Sequence, residues 1–138
     1  MAVQKNQAQS AMTIPQSAQI QPAALEALLQ SGAKNKPLVL QVGSRTLFDE
    51  AHIPGAKYAG PGAQPEGLAR LEKAVAGLPH DARIVIYCGC CPWVHCPNIA
   101  PAFAKLRSLG FTHVQALYLA HNFGDDWVNA GYKVDRGA

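Results

Sequence analysis

One short segment narrows the fold more than any other. In Arg83-Ile-Val-Ile-Tyr87 every residue after Arg83 is apolar and Ile84, Val85 and Ile86 are β-branched, with no alternation of polar and apolar positions. A strand of that kind is covered on both faces, as a central strand of a parallel sheet is. Parallel neighbours need long crossover connections, usually helices. The flanking sequence should therefore alternate strand with helix.

It does. Gln21-Pro22-Ala-Ala-Leu-Glu-Ala-Leu-Leu puts proline in a first helical turn and Leu25, Leu28 and Leu29 on one face, with a stop near Gly32. Pro37-Leu-Val-Leu-Gln-Val42 reads as a buried strand bounded by Gly43 and Ser44. A loop carrying Phe48 leads to His52-Ile-Pro-Gly-Ala56, whose Pro-Gly turn precedes a short strand over Lys57 to Ala59. Leu68, Leu71, Val75 and Leu78 have helical spacing after Pro65, and Pro79 closes that segment. A further helix is expected from about Asn98 to Leu109, with Pro101 in its first turn, Phe103 and Leu106 inward and Gly110 as its cap. His113 to Leu119 alternates as a last strand, and Asp125 to Ala130 reads as a short closing helix with Trp127 in the core. No internal repeat is present. The fold class is α/β: an open, largely parallel sheet flanked by helices on both faces.

Composition bounds the rest. With 138 residues, 49% apolar and 15% charged, the chain suits one core, assigned to residues 21–138. Residues 1–20, rich in Gln, Ala and Ser, are expected to form a flexible arm. The net charge of +3 comes from scattered basic residues, which gives no footprint for nucleic acid. No apolar run reaches the roughly 18 residues that span a bilayer, so no membrane partner is expected. The N-terminus lacks the apolar region of a secretory signal; this leaves a cytoplasmic protein, or an exported, periplasmic one whose signal has been removed.

All four cysteines, Cys88, Cys90, Cys91 and Cys96, lie in one short stretch after the Arg83–Tyr87 strand. A disulfide scaffold spreads its cysteines to tie distant segments, so this cluster points to local chemistry. Ligands of open α/β sheets bind beyond the carboxyl ends of the strands, where Cys88 falls. A loop whose N–H groups converge there, followed by a helix N-terminus, would lower the thiol pKa below its usual value of about 8.5.

From Leu38 to Val134 the sequence resembles a single rhodanese domain, a sulfurtransferase fold. The resemblance is carried by Phe48 with Ala51-His52-Ile53-Pro54-Gly55-Ala56, by the strand ending in Tyr87-Cys88, by Gly110-Phe111 after a helix, and by Trp127 with Ala130-Gly131-Tyr132. It implies that Cys88 accepts sulfur from a small sulfur-containing anion or persulfide donor and holds it as a persulfide. A thiol or cyanide acceptor then removes it, with no cofactor and no metal. Gly89, Cys90, Cys91, Trp93 and His95 would line the substrate site, Gly89 allowing a sharp turn after the nucleophile.

The chain departs from the family pattern in three respects. Gln41-Val42-Gly43 replaces the usual Asp-Val-Arg, the loop Gly89 to Pro97 is longer than a six-residue cradle, and no Lys or Arg occurs from Ile84 to Ala104. An oxyanion donor would rely on N–H dipoles, on His95 and on groups brought from elsewhere. Sister phosphatases and arsenate reductases need Cys-x5-Arg to grip a tetrahedral oxyanion. Counting from Cys88, Cys90 and Cys91 puts Val94, Cys96 and Pro97 at the arginine position, which speaks against that class.

The other cysteines leave three readings open: a disulfide from Cys96 to Cys90 or Cys91, a resolving thiol that makes the domain a thiol-redox protein, or a soft-metal (Cu or Zn) module. Among the remaining residues, His52 is expected to bond its own turn, and His80, His113 and His121 to be solvated or at edges. Trp93 is expected as an exposed recognition surface or a lid, Asn98 as a helix N-cap, and Asp125 and Asp126 as favourable charges at a helix start.

Overall fold

The computed structural model describes residues 14–31, 36–89 and 92–137. Five strands, β1 (Gln19–Ile20), β2 (Leu38–Gln41), β3 (Lys57–Tyr58), β4 (Arg83–Tyr87) and β5 (His113–Leu117), form one sheet in the order β1-β5-β4-β2-β3. Every pairing is parallel. The apolar run singled out from sequence is the central strand, and Ile84, Val85 and Ile86 are fully buried.

Side chains alternate across a strand, so β4 feeds two cores. Ile84, Ile86 and Cys88 point to one, closed by α3 (Pro65–Val75) and α4 (Ile99–Ser108) through Leu71, Val75, Ile99 and Leu106. Val85 and Tyr87 point to the other, closed by Leu25 of α1 (Pro22–Gln30), Phe48 of α2 (Arg45–Glu50) and Trp127. The helices thus cover both faces, as the residue periodicities require.

Three local expectations need correction. The segment around Phe48 is not a loop but α2, too short to stand on helix propensity. The Ser44 hydroxyl accepts the Leu47 N–H at its start, and Arg45 pairs with Asp49 at 3.4 Å on its exposed face. Burying Phe48 is worth about 1.5–3 kcal/mol, against about 0.3–0.5 for an exposed pair of that spacing. Packing therefore holds the helix. The closing element is a single π-helical turn, Gly124–Val128, rather than a helix from Asp125 to Ala130, although Trp127 is in the core as expected. Residues 14–20, assigned from sequence to the arm, lie against the sheet: Ile14 and Ala18 are buried and Gln19–Ile20 pair with β5. The rest of that stretch is outside the described residues.

Candidate active site

Cys88 follows the last residue of β4 on the α3/α4 face, with the residue only 4% exposed. Its sulfur sits against Gly43, where the ladder runs on past β2 through the Val42 N–H to the Tyr87 carbonyl at 2.7 Å. A Cβ at position 43 would stand 2.8 Å from Cys88 Sγ, so any side chain there would have to displace the sulfur. The glycine that replaces the family's arginine therefore makes the space in which the sulfur lies.

Gln41 fixes that backbone. It is 1% exposed, its Oε1 accepts the Gly43 N–H at 2.9 Å and its Nε2 donates to the Ser44 carbonyl at 3.2 Å. A buried amide of this kind is tolerable because both ends are satisfied. The Gly43 carbonyl in turn accepts the Tyr58 hydroxyl at 2.8 Å.

On the other side of the sulfur lies Asn98. Sequence placed it as an N-cap, but its side chain makes no cap bond. Instead Nδ2 donates to Cys88 Sγ at 3.5 Å and Oδ1 accepts the Ala63 N–H at 2.9 Å. The turn that carries Ala63 presses on the same residue: a Cβ on Gly62 would lie 2.3 Å from the Asn98 carbonyl oxygen.

Two cations from outside the loop stand at Tyr58, whose hydroxyl bonds the Gly43 carbonyl. The guanidinium carbons of Arg45 and Arg70 stand 5.3 and 5.5 Å from the centre of the Tyr58 ring, and Arg70 also donates to the Gly60 carbonyl. Burial pushes the Tyr58 phenol above its ordinary 10, Arg70 and Arg45 oppose that, and the negative charge of a Cys88 thiolate adds to it. Tyr87 is raised further, by burial first, with the Ile53 N–H opposing and Cys88 reinforcing. Both tyrosines are neutral at physiological pH, and Tyr58 acts as a donor to Gly43.

The loop residues named from sequence are distributed differently. Gly89 does not need left-handed backbone, and a Cβ there would meet Phe123 at an ordinary 3.6 Å, so steric freedom is not what the chain uses at this point. Trp93 is not an exposed surface: it is 6% exposed, its ring centre lies 5.2 Å from that of Tyr118, and its backbone N–H donates to the Leu119 carbonyl at 3.0 Å. His95 is exposed on the same short 3-10 turn, Trp93–His95. Cys96 is buried in the core that holds Cys88, and no disulfide joins the two. Cys90 and Cys91 lie outside the described residues, as do the pairings and the ligand set that invoke them. Among the described residues, no three Cys, His, Asp or Glu side chains gather as a metal cluster. No described helix is long and apolar enough to cross a membrane.

The histidines and acids outside the loop behave as structural groups. His52 Nδ1 bonds the Phe48 carbonyl at 2.8 Å while its ring stacks on Phe48. His121 pairs with Asp126 at the protein surface.

On the opposite face of β4, a cavity of about 410 Å³ adjoins Gly89, walled by Gln41, Leu47, Tyr87, Phe123 and Val128 with Arg136 at its rim. Sequence pattern gave no warning of Tyr58, Arg45, Arg70 or the direction of Asn98. The one available signal was the replacement of arginine by glycine at 43.

These features define a class: a parallel α/β domain that sets a cysteine at the carboxyl end of its central strand. The chain belongs to the rhodanese-like domain family, whose model matches residues 21–119. A search of curated proteins found no match. Among solved structures, the rhodanese-like domain of the Alr3790 protein from Anabaena sp. is similar with a TM-score of 0.64 and 22% identity, covering 86% of this chain and 79% of that one. The BH2092 protein from Bacillus halodurans has a TM-score of 0.64 and 24% identity, with 87% and 77% covered. RPA3614 from Rhodopseudomonas palustris, a protein of unknown function described as a possible tyrosine phosphatase, has a TM-score of 0.60 and 19% identity, with 85% and 83% covered. At these identities the likeness concerns the fold.

Proposed function

We propose that this domain is a sulfurtransferase that carries sulfane sulfur on Cys88. The observation that supports it is the placement of Cys88 Sγ at the end of the central strand of a rhodanese-like domain, in the space left by Gly43 and within reach of the Asn98 amide. The chemistry is covalent and two-step. The thiolate attacks the outer sulfur of thiosulfate, the S–S bond of the donor breaks, and its electron pair leaves with sulfite, giving a Cys88 persulfide. Cyanide or a thiolate then attacks the outer persulfide sulfur, and the electron pair of the S–S bond returns to Cys88 as thiocyanate or the acceptor persulfide departs. No external oxidant or reductant is consumed.

In this reading Arg45 and Arg70, which stand at Tyr58, would serve an anionic donor, since no Lys or Arg lies between Ile84 and Ala104. The absence of Cys-x5-Arg weighs against phosphate-ester chemistry. The test is intact-mass spectrometry after incubation with thiosulfate or polysulfide. A gain of about 32 mass units that cyanide removes and Cys88→Ser prevents is expected. No adduct from either donor would overturn the reading.

A further inference from the structure

The buried amide of Asn98 does something that a helix cap does not. It stands just before α4, where an asparagine normally turns its oxygen onto the first free N–H groups. Here the backbone is already helical (φ −96°, ψ −27°) and the side chain makes no cap bond. At 8% exposure, it is spent across the chain instead.

Its orientation is fixed by chemistry. The Ala63 backbone N–H can only donate, so the atom 2.9 Å from it must be the amide oxygen. The amide nitrogen must then face Cys88 Sγ, 3.5 Å away, with a hydrogen to give. Flipping the amide would set N–H against N–H at Ala63 and oxygen against sulfur. Both contacts would become unfavourable, so the turn at Ala63 locks a donor onto the sulfur.

We propose that Asn98, oriented by the Ala63 N–H, is a built-in hydrogen-bond donor to the Cys88 sulfur that favours its thiolate over its thiol. This rests on the sulfur-transfer reading of Cys88 but is tested independently of it. A donor to the charged form stabilises that form. The amide also lies at the N-terminus of α4, where the helix dipole acts in the same direction. It thus supplies, in neutral form, part of what an arginine beside the nucleophile would supply.

Among the described residues, Tyr58 on β3 and Tyr87 on β4 are electrostatically coupled to Cys88, Arg45 on α2 and Arg70 and Glu66 on α3 act on Tyr58, and Cys96 shares the core that holds Cys88. The first turn of α4 carries no acid, and the basic residues of that helix, Lys105 and Arg107, are in its last turn.

The experiment follows alkylation of the reduced full-length chain by iodoacetamide as a function of pH. Trypsin releases all four cysteines on the single peptide from Ile84 to Lys105, and fragment-ion spectra assign the rate to Cys88. Asn98→Leu removes the donor at similar volume. Asn98→Asp keeps an acceptor for Ala63 and so keeps that anchor, but turns an acceptor-only oxygen toward the sulfur.

The Cys88 midpoint is expected to rise by about one pH unit in Asn98→Leu and by more in Asn98→Asp. A purely structural Asn98 would lower thermal stability in the leucine variant and leave that variant's profile unmoved. If Asn98→Leu does not fold, Asn98→Ala, which removes the donor without adding charge, decides, and a profile superimposed on the parent's overturns the proposal. A shifted profile in a protein that takes no sulfur from any donor would support this donor role while removing the sulfur-transfer reading.

Discussion

Residues 87 and 88 are neighbours in sequence and point into opposite halves of the molecule, and the two halves are built differently. On the Tyr87 side, aromatic rings fill the space: Tyr87 lies 5.2 Å from Phe123, Phe123 lies 6.1 Å from Trp127, and Trp127 lies 5.0 Å from Tyr132, centre to centre. The Trp127 indole N–H donates to the Lys133 carbonyl at 2.9 Å, and the Tyr87 hydroxyl accepts the Ile53 N–H at 3.1 Å. On the Cys88 side, space is made by leaving side chains out. Gly43 makes room for the sulfur, and Gly62 lets a turn approach the Asn98 backbone. One half is stabilised by bulk; the other uses close backbone approach to set one amide against one sulfur.

That contrast can be broken at either half. The largest effect is expected from Trp127→Ala, which empties the aromatic side and should cost about 3–5 kcal/mol in a denaturant titration. The Cys88 alkylation profile of the folded variant should not move. Gly62→Val comes next. Its Cβ would clash with backbone rather than with a side chain that can turn away, so a loss of about 3 kcal/mol is expected, together with a raised Cys88 midpoint as Asn98 shifts. Gly43→Ala should be milder for folding, about 1–2 kcal/mol, because the atom it meets ends a short side chain that can rotate. Its effect on sulfur loading should be larger, at least a tenfold slower persulfide formation in stopped-time mass spectra.

The smallest effect belongs to the surface pair His121 and Asp126. The Asp126 side chain raises His121 above its ordinary 6.5. Burial pushes Asp126 up, but the His121 amide, its ring and the Asn122 amide outweigh this and hold the carboxyl below its ordinary 3.8. The histidine contribution is present below 6.5 and disappears as pH rises through the raised value; the aspartate contribution is present above 3.8 and disappears as pH falls through the lowered one. Melting of His121→Ala beside the parent should therefore show its greatest difference between these limits and converge in alkaline solution.

How much of this was readable from sequence depends on whether the partners were local. The β4 run and Cys88 at its end were legible because continuous β-branched residues have few other uses. The Leu68, Leu71 and Val75 spacing gave α3 for the same kind of reason. The α2 helix was missed although Arg45 and Asp49 stand four apart, because six residues carry too little periodicity to outweigh the turn-forming neighbours. Trp93 looked exposed because nothing nearby covers it; its partners Tyr118 and Leu119 come from the end of the sheet two elements later. Asn98 misled for the opposite reason. Its local context is that of a cap, and only Ala63, 35 positions away, turns it onto the sulfur.

The central claim is that the sulfur of Cys88 is the carrier. Protein preloaded with thiosulfate and freed of donor by gel filtration should release thiocyanate in one rapid burst on mixing with cyanide, in amount close to the protein present, and Cys88→Ser should release none. A burst of equal size from the serine variant would place the transferred sulfur on another residue and contradict the account.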